Sequence, residues 1–319
     1  MGTFFRTMDQ SGVDVEDLYH MLKAVPIVQE KDNAVDFQYK EGLLEFKNIS
    51  YTHYIWDQNT KDEEAEDKKK KIDSKEGKQE TKIMEKELFG DFSLTIEPGT
   101  TNAIVGQSGF GKTTLLNLLF RIYDPSQGSV LLDGQNLRDL KFDSFRKYIS
   151  IIPQNGILFN DTILFNLQYG NPEASMEEIV KAAKMCEIHD RVMQMPEGYD
   201  TNVGDLGGKL SGGERQRVLI ARGLLKKEAQ IFLFDEATSN LDSYTEKMIT
   251  NELDTLMKGK TVIYCAHRLS SIINVDKIHV LKDGRVYEEG THNELLSRPG
   301  SVYSEMWKNY LREKEEMGE

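Results

Sequence analysis

Val105-Gly106-Gln107-Ser108-Gly109-Phe110-Gly111-Lys112-Thr113-Thr114 is the stretch that decides the fold. Gly106 to Thr113 follows the pattern G-x-x-x-x-G-K-[ST], behind an apolar strand expected over Thr101–Val105 and ahead of a helix expected over Thr113–Phe120. Glycines let the backbone curl so that its N–H groups point inward at phosphate oxygens, and the helix start adds a partial positive charge. In that frame Lys112 reaches the β- and γ-phosphates of a nucleotide, and the Thr113 hydroxyl ligates Mg²⁺. A glycine-rich turn with an incidental lysine shares the letters, but not the strand before and the helix after.

Outward from this loop the chain alternates between strands and helices. Short apolar runs predict strands at Leu43–Tyr51, Asp91–Ile96, Val130–Leu132, Ile149–Ile152, Ile231–Phe234, Thr261–Cys265 and Lys277–Leu281. Helices are expected at Met176–Met195, Arg215–Leu225 and Val302–Glu316. The alternation predicts an α/β sheet covered by helices. At the front, Leu18, Met21, Leu22 and Val25 share one helical face, which predicts a helix from Met1 to about Val25 that stops at Pro26. Asn59 to Lys86 runs from acidic to basic with little apolar content, so it reads as a disordered insertion in a loop.

Two further motifs carry chemistry. Ile231-Phe-Leu-Phe-Asp235-Glu236 reads as a buried parallel strand ending in two carboxylates, at the end of the sheet where ligands sit. Asp235 there would hold Mg²⁺ through water, and Glu236 would take a proton from an attacking water. Leu210-Ser211-Gly212-Gly213-Glu214 opens a helix and forms a second anion-binding terminus. Alone it is an ordinary N-cap, and a second such terminus is odd for one nucleotide in one chain.

The 319 residues carry 53 acidic against 40 basic side chains, a formal charge of -13, which argues against nucleic acid as a partner. No apolar run approaches the roughly 18 residues of a membrane helix, and the first ten residues hold no secretory signal. Cys186 and Cys265 make no disulfide framework, and Cys265 falls in the apolar run Val262–Ala266, where a buried reduced thiol is expected.

The phosphate loop, Gln154, Leu210–Glu214, the strand ending Asp235-Glu236, Ser239-Asn-Leu-Asp242 and His267, in that order, resemble the ATP-binding cassette family over about Leu43 to Leu296. The resemblance implies a P-loop NTPase core with a mostly parallel sheet, an antiparallel β subdomain and an α-helical subdomain at about 138–216, within a domain at 41–300. It implies that two cassettes pack head to tail, each completing the ATP site of the other, which explains the second anion terminus. The implied catalytic residues are Glu236, His267, Gln154 and Lys112. Nucleotide contacts are implied at Gly106, Gln107, Ser108, Gly109, Phe110, Gly111, Lys112, Thr113, Thr114, Ser211, Gly212, Gly213 and Asp242, and metal contacts at Thr113, Gln154 and Asp235. Phe110 and Thr114 depart from the commonest loop residues. The family also stacks an aromatic ring on adenine. Here His53 falls at the expected place with Tyr54 one residue late, and Tyr54 is the residue chosen.

Gly204-Asp205-Leu206-Gly207 resembles an exporter loop that contacts the membrane domain, with Asp205 where Glu is more common. The lead 1–26 is similar to the tail of a last membrane helix, and 301–319 is expected as a C-terminal helix. Leu119–Tyr123, Gly134–Leu137 and Ser301–Trp307 are similar to the mitochondrial iron–sulfur-related exporters, which implies a half-transporter in the inner membrane with this domain in the matrix. Glutathione-linked or sulfur-containing compounds would be the cargo. A multidrug, porphyrin or heavy-metal half-transporter competes, as does a soluble cassette ATPase outside transport. ATP, Mg²⁺, a second cassette and a membrane domain are the implied partners.

Overall fold

In the computed structural model residues 15, 18–19, 21–23, 26–56, 83–107, 109–238, 240–266 and 268–317 are described, of which 54–56, 83–85, 243 and 317 by backbone alone. Two sheets form the frame. One is antiparallel, in the order β2-β1-β4-β5, from β1 Leu44–Trp56, β2 Ile83–Ile96, β4 Gln127–Leu132 and β5 Gln135–Asn136. The other has six strands in the order β10-β9-β3-β8-β7-β6, from β3 Thr101–Val105, β6 Ile149–Ile152, β7 Ile231–Asp235, β8 Thr261–Cys265, β9 Lys277–Lys282 and β10 Arg285–Gly290. All its neighbours pair in parallel except β9 and β10.

Strand order explains where a site can form. β8 lies between β3 and β7, and Cys265 on β8 pairs with both Ile104 on β3 and Asp235 on β7. The segments following β3, β8, β7 and β6 therefore emerge side by side at one end of the sheet. α1 (Lys112–Leu119) follows β3 and buries Leu115, Leu116, Leu118 and Leu119. Those leucines join one core with Ile104 and the inner faces of β1, β2 and β4. A second core gathers Ile163, Leu167, Ile179, Val218 and Ile220 from α3 (Ile163–Gln168), α4 (Met176–Met185) and α6 (Gly212–Leu224) against Phe232 and Phe234 of β7. At the C-terminal end Glu288 accepts from Ser301 Oγ and from the Val302 and Tyr303 N–H groups, capping α9 (Val302–Met317). Tyr303 is wholly buried there.

The apolar runs at Ile149–Ile152 and Thr261–Cys265 are strands with the expected bounds. Elsewhere the structure corrects the sequence. The helix expected over Met176–Met195 is two helices, α4 and α5 (His189–Met193). Glu187 takes φ +54, and the N–H groups of Glu187 and Ile188 return to Lys184 O and Ala183 O at 2.9 Å each, a Schellman stop. The expected insertion 59–86 is too long at its end, because Ile83 to Lys86 continue β2 and pair as far as Trp56↔Ile83. Backbone ladder bonds do not require apolar side chains. Residues 59–82 lie outside the described residues.

Sequence patterns missed β5, β10, α2 (Phe142–Arg146), α3 and α8 (His292–Ser297), all of six residues or fewer. Of the helix expected over Met1–Val25, only 15, 18–19 and 21–23 are described, as helical backbone. Leu18, Met21 and Leu22 of its apolar face are exposed. Among the described residues no helix is long and apolar enough to cross a membrane.

Candidate functional site

The phosphate loop is built into the core on both sides. A Cβ on Gly106 would lie 2.7 Å from Leu281 O of β9, and one on Gly111 would lie 2.5 Å from Phe89 Cζ of β2. Gly111 also has φ +87, a left-handed backbone that glycine alone adopts without strain. Lys112 is only 5% exposed, and its Nζ donates to Gly106 O at 2.8 Å and Gln107 O at 3.3 Å, arching over the loop. Burial lowers the pKa of its ammonium, against the pull of Cys265, Glu236 and Asp235. α1 starts with no side-chain cap and no acid in its first turn, so its N–H groups and positive dipole end are left for an anion. Gln107, Gly109, Phe110 and Thr114 lie on the loop and first turn as expected, with a turn bond from Phe110 N to Gln107 O at 3.4 Å. Ser108 lies outside the described residues.

Facing the loop is the end of β7, every residue of which is buried. Thr113 Oγ1 donates to Asp235 Oδ1 at 3.1 Å, joining two of the three expected metal contacts. Two hard oxygens beside a phosphate loop fit Mg²⁺. The next residue turns away, since Glu236 has φ +50 and its N–H donates to Cys265 O at 2.9 Å. Its carboxylate accepts from Gln154 Nε2, on the segment after β6. Five of the expected residues, Lys112, Thr113, Gln154, Asp235 and Glu236, thus converge at one end of the sheet. His267 lies outside the described residues, between Ala266 and Arg268 at the end of β8.

The second anion terminus stands apart. Ser211 N-caps α6 in a full capping box, with its Oγ accepting from Glu214 N at 3.2 Å and Glu214 reaching back to Ser211 N at 2.8 Å. Arg191 holds the same carboxylate at 2.6 Å. Burial would raise the Glu214 pKa, but Arg191 and Ser211 outweigh it and hold it low. Ser211 and Gly212 are exposed, and Gly213 packs on Asn240 O and Leu241. Asp242 caps α7 (Ser243–Leu256) through Thr245 N at 2.9 Å, a bond that also lowers its pKa. No hydrogen bond among the described residues joins Ser211, Gly212, Gly213 or Asp242 to the phosphate loop.

A family model described as "ABC transporter" matches residues 89–239. The chain is 43% identical over 314 residues to the ABC transporter aclQ of Aspergillus oryzae, covering 98% of this chain and 35% of that protein. The chain belongs to the ABC transporter family. It is an ATPase domain of that family, and it spans about a third of the length of the curated relatives it matches. The heavy metal tolerance protein of Schizosaccharomyces pombe is 40% identical over 96% of this chain and 33% of that protein. The mitochondrial iron-sulfur clusters transporter ABCB7 of Homo sapiens is 39% identical over 96% of this chain and 37% of that protein. A solved bacterial Atm1-family ABC exporter with ATP bound superposes with a TM-score of 0.78 at 38% identity, over 97% of this chain and 49% of that one.

Two surfaces of this ABC domain were only partly legible. Tyr54 pairs with Glu85 through β1 and β2, and its side chain lies outside the described residues. Tyr51, His53 and Tyr123 instead form a ring cluster, Tyr51 stacked on Tyr123 at 5.5 Å and His53 edge-on to Tyr123 at 6.5 Å. Tyr123 was missed as a member, because it follows α1 and is remote in sequence from His53. Behind Gln154, Ile157, Phe159, Phe165 and Tyr169 form an exposed apolar patch, with Phe159 and Tyr169 rings 4.5 Å apart. Leu206, at φ +50 in the Gly204–Gly207 loop, is exposed as well. Such patches mark docking sites.

Proposed function

We propose that this ABC ATPase domain binds ATP between two copies, head to tail, and that closing and opening of the pair power an exporter. The observation that carries this is the division of the anion sites. Gly106–Thr113 is walled by its own chain, whereas Ser211–Gly213 is a formed helix terminus, exposed at Ser211 and Gly212, that makes no hydrogen bond to that loop among the described residues. Two copies facing oppositely supply each loop with a terminus.

In this arrangement the loop amides and Lys112 neutralise the β- and γ-phosphates, and the partner copy's serine adds a donor. Ser211 Oγ accepts from Glu214 N, and its own hydroxyl proton remains to be donated. Thr113 and Asp235 would hold Mg²⁺, which when bound screens phosphate charge as the leaving oxygen forms. Glu236 orients water and accepts its proton, with Gln154 holding that carboxylate in place and His267 beside the γ-phosphate. Loss of the γ-phosphate removes the bridge between copies, so the pair opens. Asp242 links the two sites, and an aromatic ring near Tyr54 supports adenine.

The aromatic patch around Phe159 and the Gly204–Gly207 loop suit docking of a membrane domain. Relatives named as mitochondrial iron-sulfur clusters transporters and as a heavy metal tolerance protein support sulfur-containing or metal-linked cargo and an inner mitochondrial membrane address. Glu236→Gln tests the core of the reading. ATP binding is retained, turnover falls by about 1,000-fold as for loss of a positioned base and its field, and a stable dimer accumulates in ATP on size exclusion. Hydrolysis at the parent rate would remove Glu236 as the base.

A further inference from the structure

Behind the catalytic carboxylate lies a polar cluster to which no role has been assigned. Glu246, in the first turn of α7, is 7% exposed, and both of its carboxylate oxygens are used. Oε1 accepts from Thr238 Oγ1 at 2.7 Å, and Oε2 accepts from Arg268 Nη1 at 2.7 Å. The same Arg268 nitrogen donates to Leu241 O at 3.2 Å. Arg268 is itself held, since its carbonyl accepts from Ser271 Oγ at 2.8 Å. One ion pair therefore ties together the turn after Glu236, the carbonyl preceding Asp242, and the residue following His267. A cavity of about 30 Å³, room for one water, is lined by Glu236, Thr238, Cys265 and Arg268, so the arginine of the pair and Glu236 border the same space.

We propose that Glu246 and Arg268 are positioning residues that lock the 236–242 turn to the end of β8, so that Glu236, Asp242 and His267 move as one unit when two copies close. The chemistry favours this over incidental surface pairing. Exposed ion pairs contribute little because water competes, but this carboxylate is withdrawn from water and shared by two donors from two other segments. Asp242 caps the helix that carries Glu246, so a shift of the cap and a shift of the pair are mechanically one event. Nothing in the cluster touches the phosphate loop in the described contacts, so nucleotide capture and loop alignment are separable.

The proposal rests on the head-to-tail reading, and the test separates the two. Arg268→Ala, Arg268→Lys and Glu246→Gln are made in this chain, each alone and with Glu236→Gln. Affinity is read with a fluorescent ATP analogue, turnover by phosphate release, and closure by ATP-driven dimerisation in the Glu236→Gln background. Arg268→Ala lowers kcat by about 100-fold, the scale expected when a reacting group is misplaced by about an ångström. Its nucleotide Kd stays within about twofold, and Arg268→Lys recovers most of the rate because an ammonium can still bridge Glu246 and Leu241 O. Arg268→Ala also weakens the trapped dimer by about tenfold, the scale of a typical coupling between sites. Unchanged kcat in Arg268→Ala would overturn the brace, and so would equal losses in Ala and Lys variants accompanied by lost nucleotide affinity. If Glu236→Gln alone formed no dimer, the head-to-tail reading would fall, while the split between kcat and Kd would still decide the brace.

Discussion

The two anion-binding helix starts, at α1 and at α6, have opposite surroundings. α1 begins under a loop pressed between Leu281 and Phe89, with a buried lysine folded back on it and no cap of its own. α6 begins with its own capping box, anchored by Arg191, and faces outward. On the head-to-tail reading proposed above, the first is uncapped so that a ligand can satisfy it, and the second is capped so that it holds its shape in water before a partner arrives. The contrast teaches that burial without a cap marks a complete pocket, and a cap without burial marks half of one.

The largest effect that can break this comparison comes from mixing two dead variants. Lys112→Ala loses nucleotide binding and turnover, because the loop amides alone face the phosphate charge. Gly212→Asp places a carboxylate where the proposed pairing brings the partner's phosphate, yet a Cβ on Gly212 would meet only Asn240 Cβ at an ordinary 4.0 Å and an acid suits a helix start, so the fold is kept. Neither variant hydrolyses ATP alone. Mixed, they regain a measurable fraction of the rate, because one of the two shared sites then holds an intact loop and an intact terminus. Absence of any recovery in a phosphate-release assay would show that each chain uses its own two termini.

A smaller effect sharpens the buried side. Asn102 Oδ1 of β3 accepts at 3.0 Å from Nε2 of wholly buried His279 of β9, the strand under Gly106. Burial pushes the His279 pKa down to about 4, with Glu289 pulling weakly the other way. The folded pKa is depressed, so this contribution to stability is complete above the unfolded value of about 6.5 and is lost as pH falls towards 4. His279→Gln therefore flattens the fall in Tm between pH 6.5 and 4, by up to about 3 kcal/mol in stability. An identical acid slope in both proteins would count against it.

The smallest effect concerns the exposed side. Ser211→Ala removes the capping oxygen and costs about 1 kcal/mol of stability, read as a Tm shift of a few degrees at most. Its loss of turnover exceeds what that shift explains, because a donor to the partner's nucleotide is lost too. Turnover unchanged beside a lowered Tm would leave Ser211 a cap only.

Much of this was legible because the core strands are short and uniformly apolar. Ile231–Phe234 and Thr261–Cys265 could be nothing else, and the phosphate loop named its own flanks. β10 was illegible because Arg285-Val-Tyr-Glu-Glu-Gly290 is a polar edge strand, and the break at Glu187 because a left-handed glutamate leaves no mark in an apolar period. Asp235 and Thr113 were paired by motif and are paired in space. The Gln154 bond to Glu236 and the Arg268–Glu246 pair join segments far apart in sequence, where no local pattern could announce them.

Glu236 also sets a limit on how stable this domain can become. An L-residue at φ +50 sacrifices roughly 1 kcal/mol that a glycine would keep. A search for hardier variants would therefore drift towards glycine at this position and, on the role proposed for Glu236, return a sturdier protein without its base. On that role, thermal robustness and turnover are opposed at a single backbone angle.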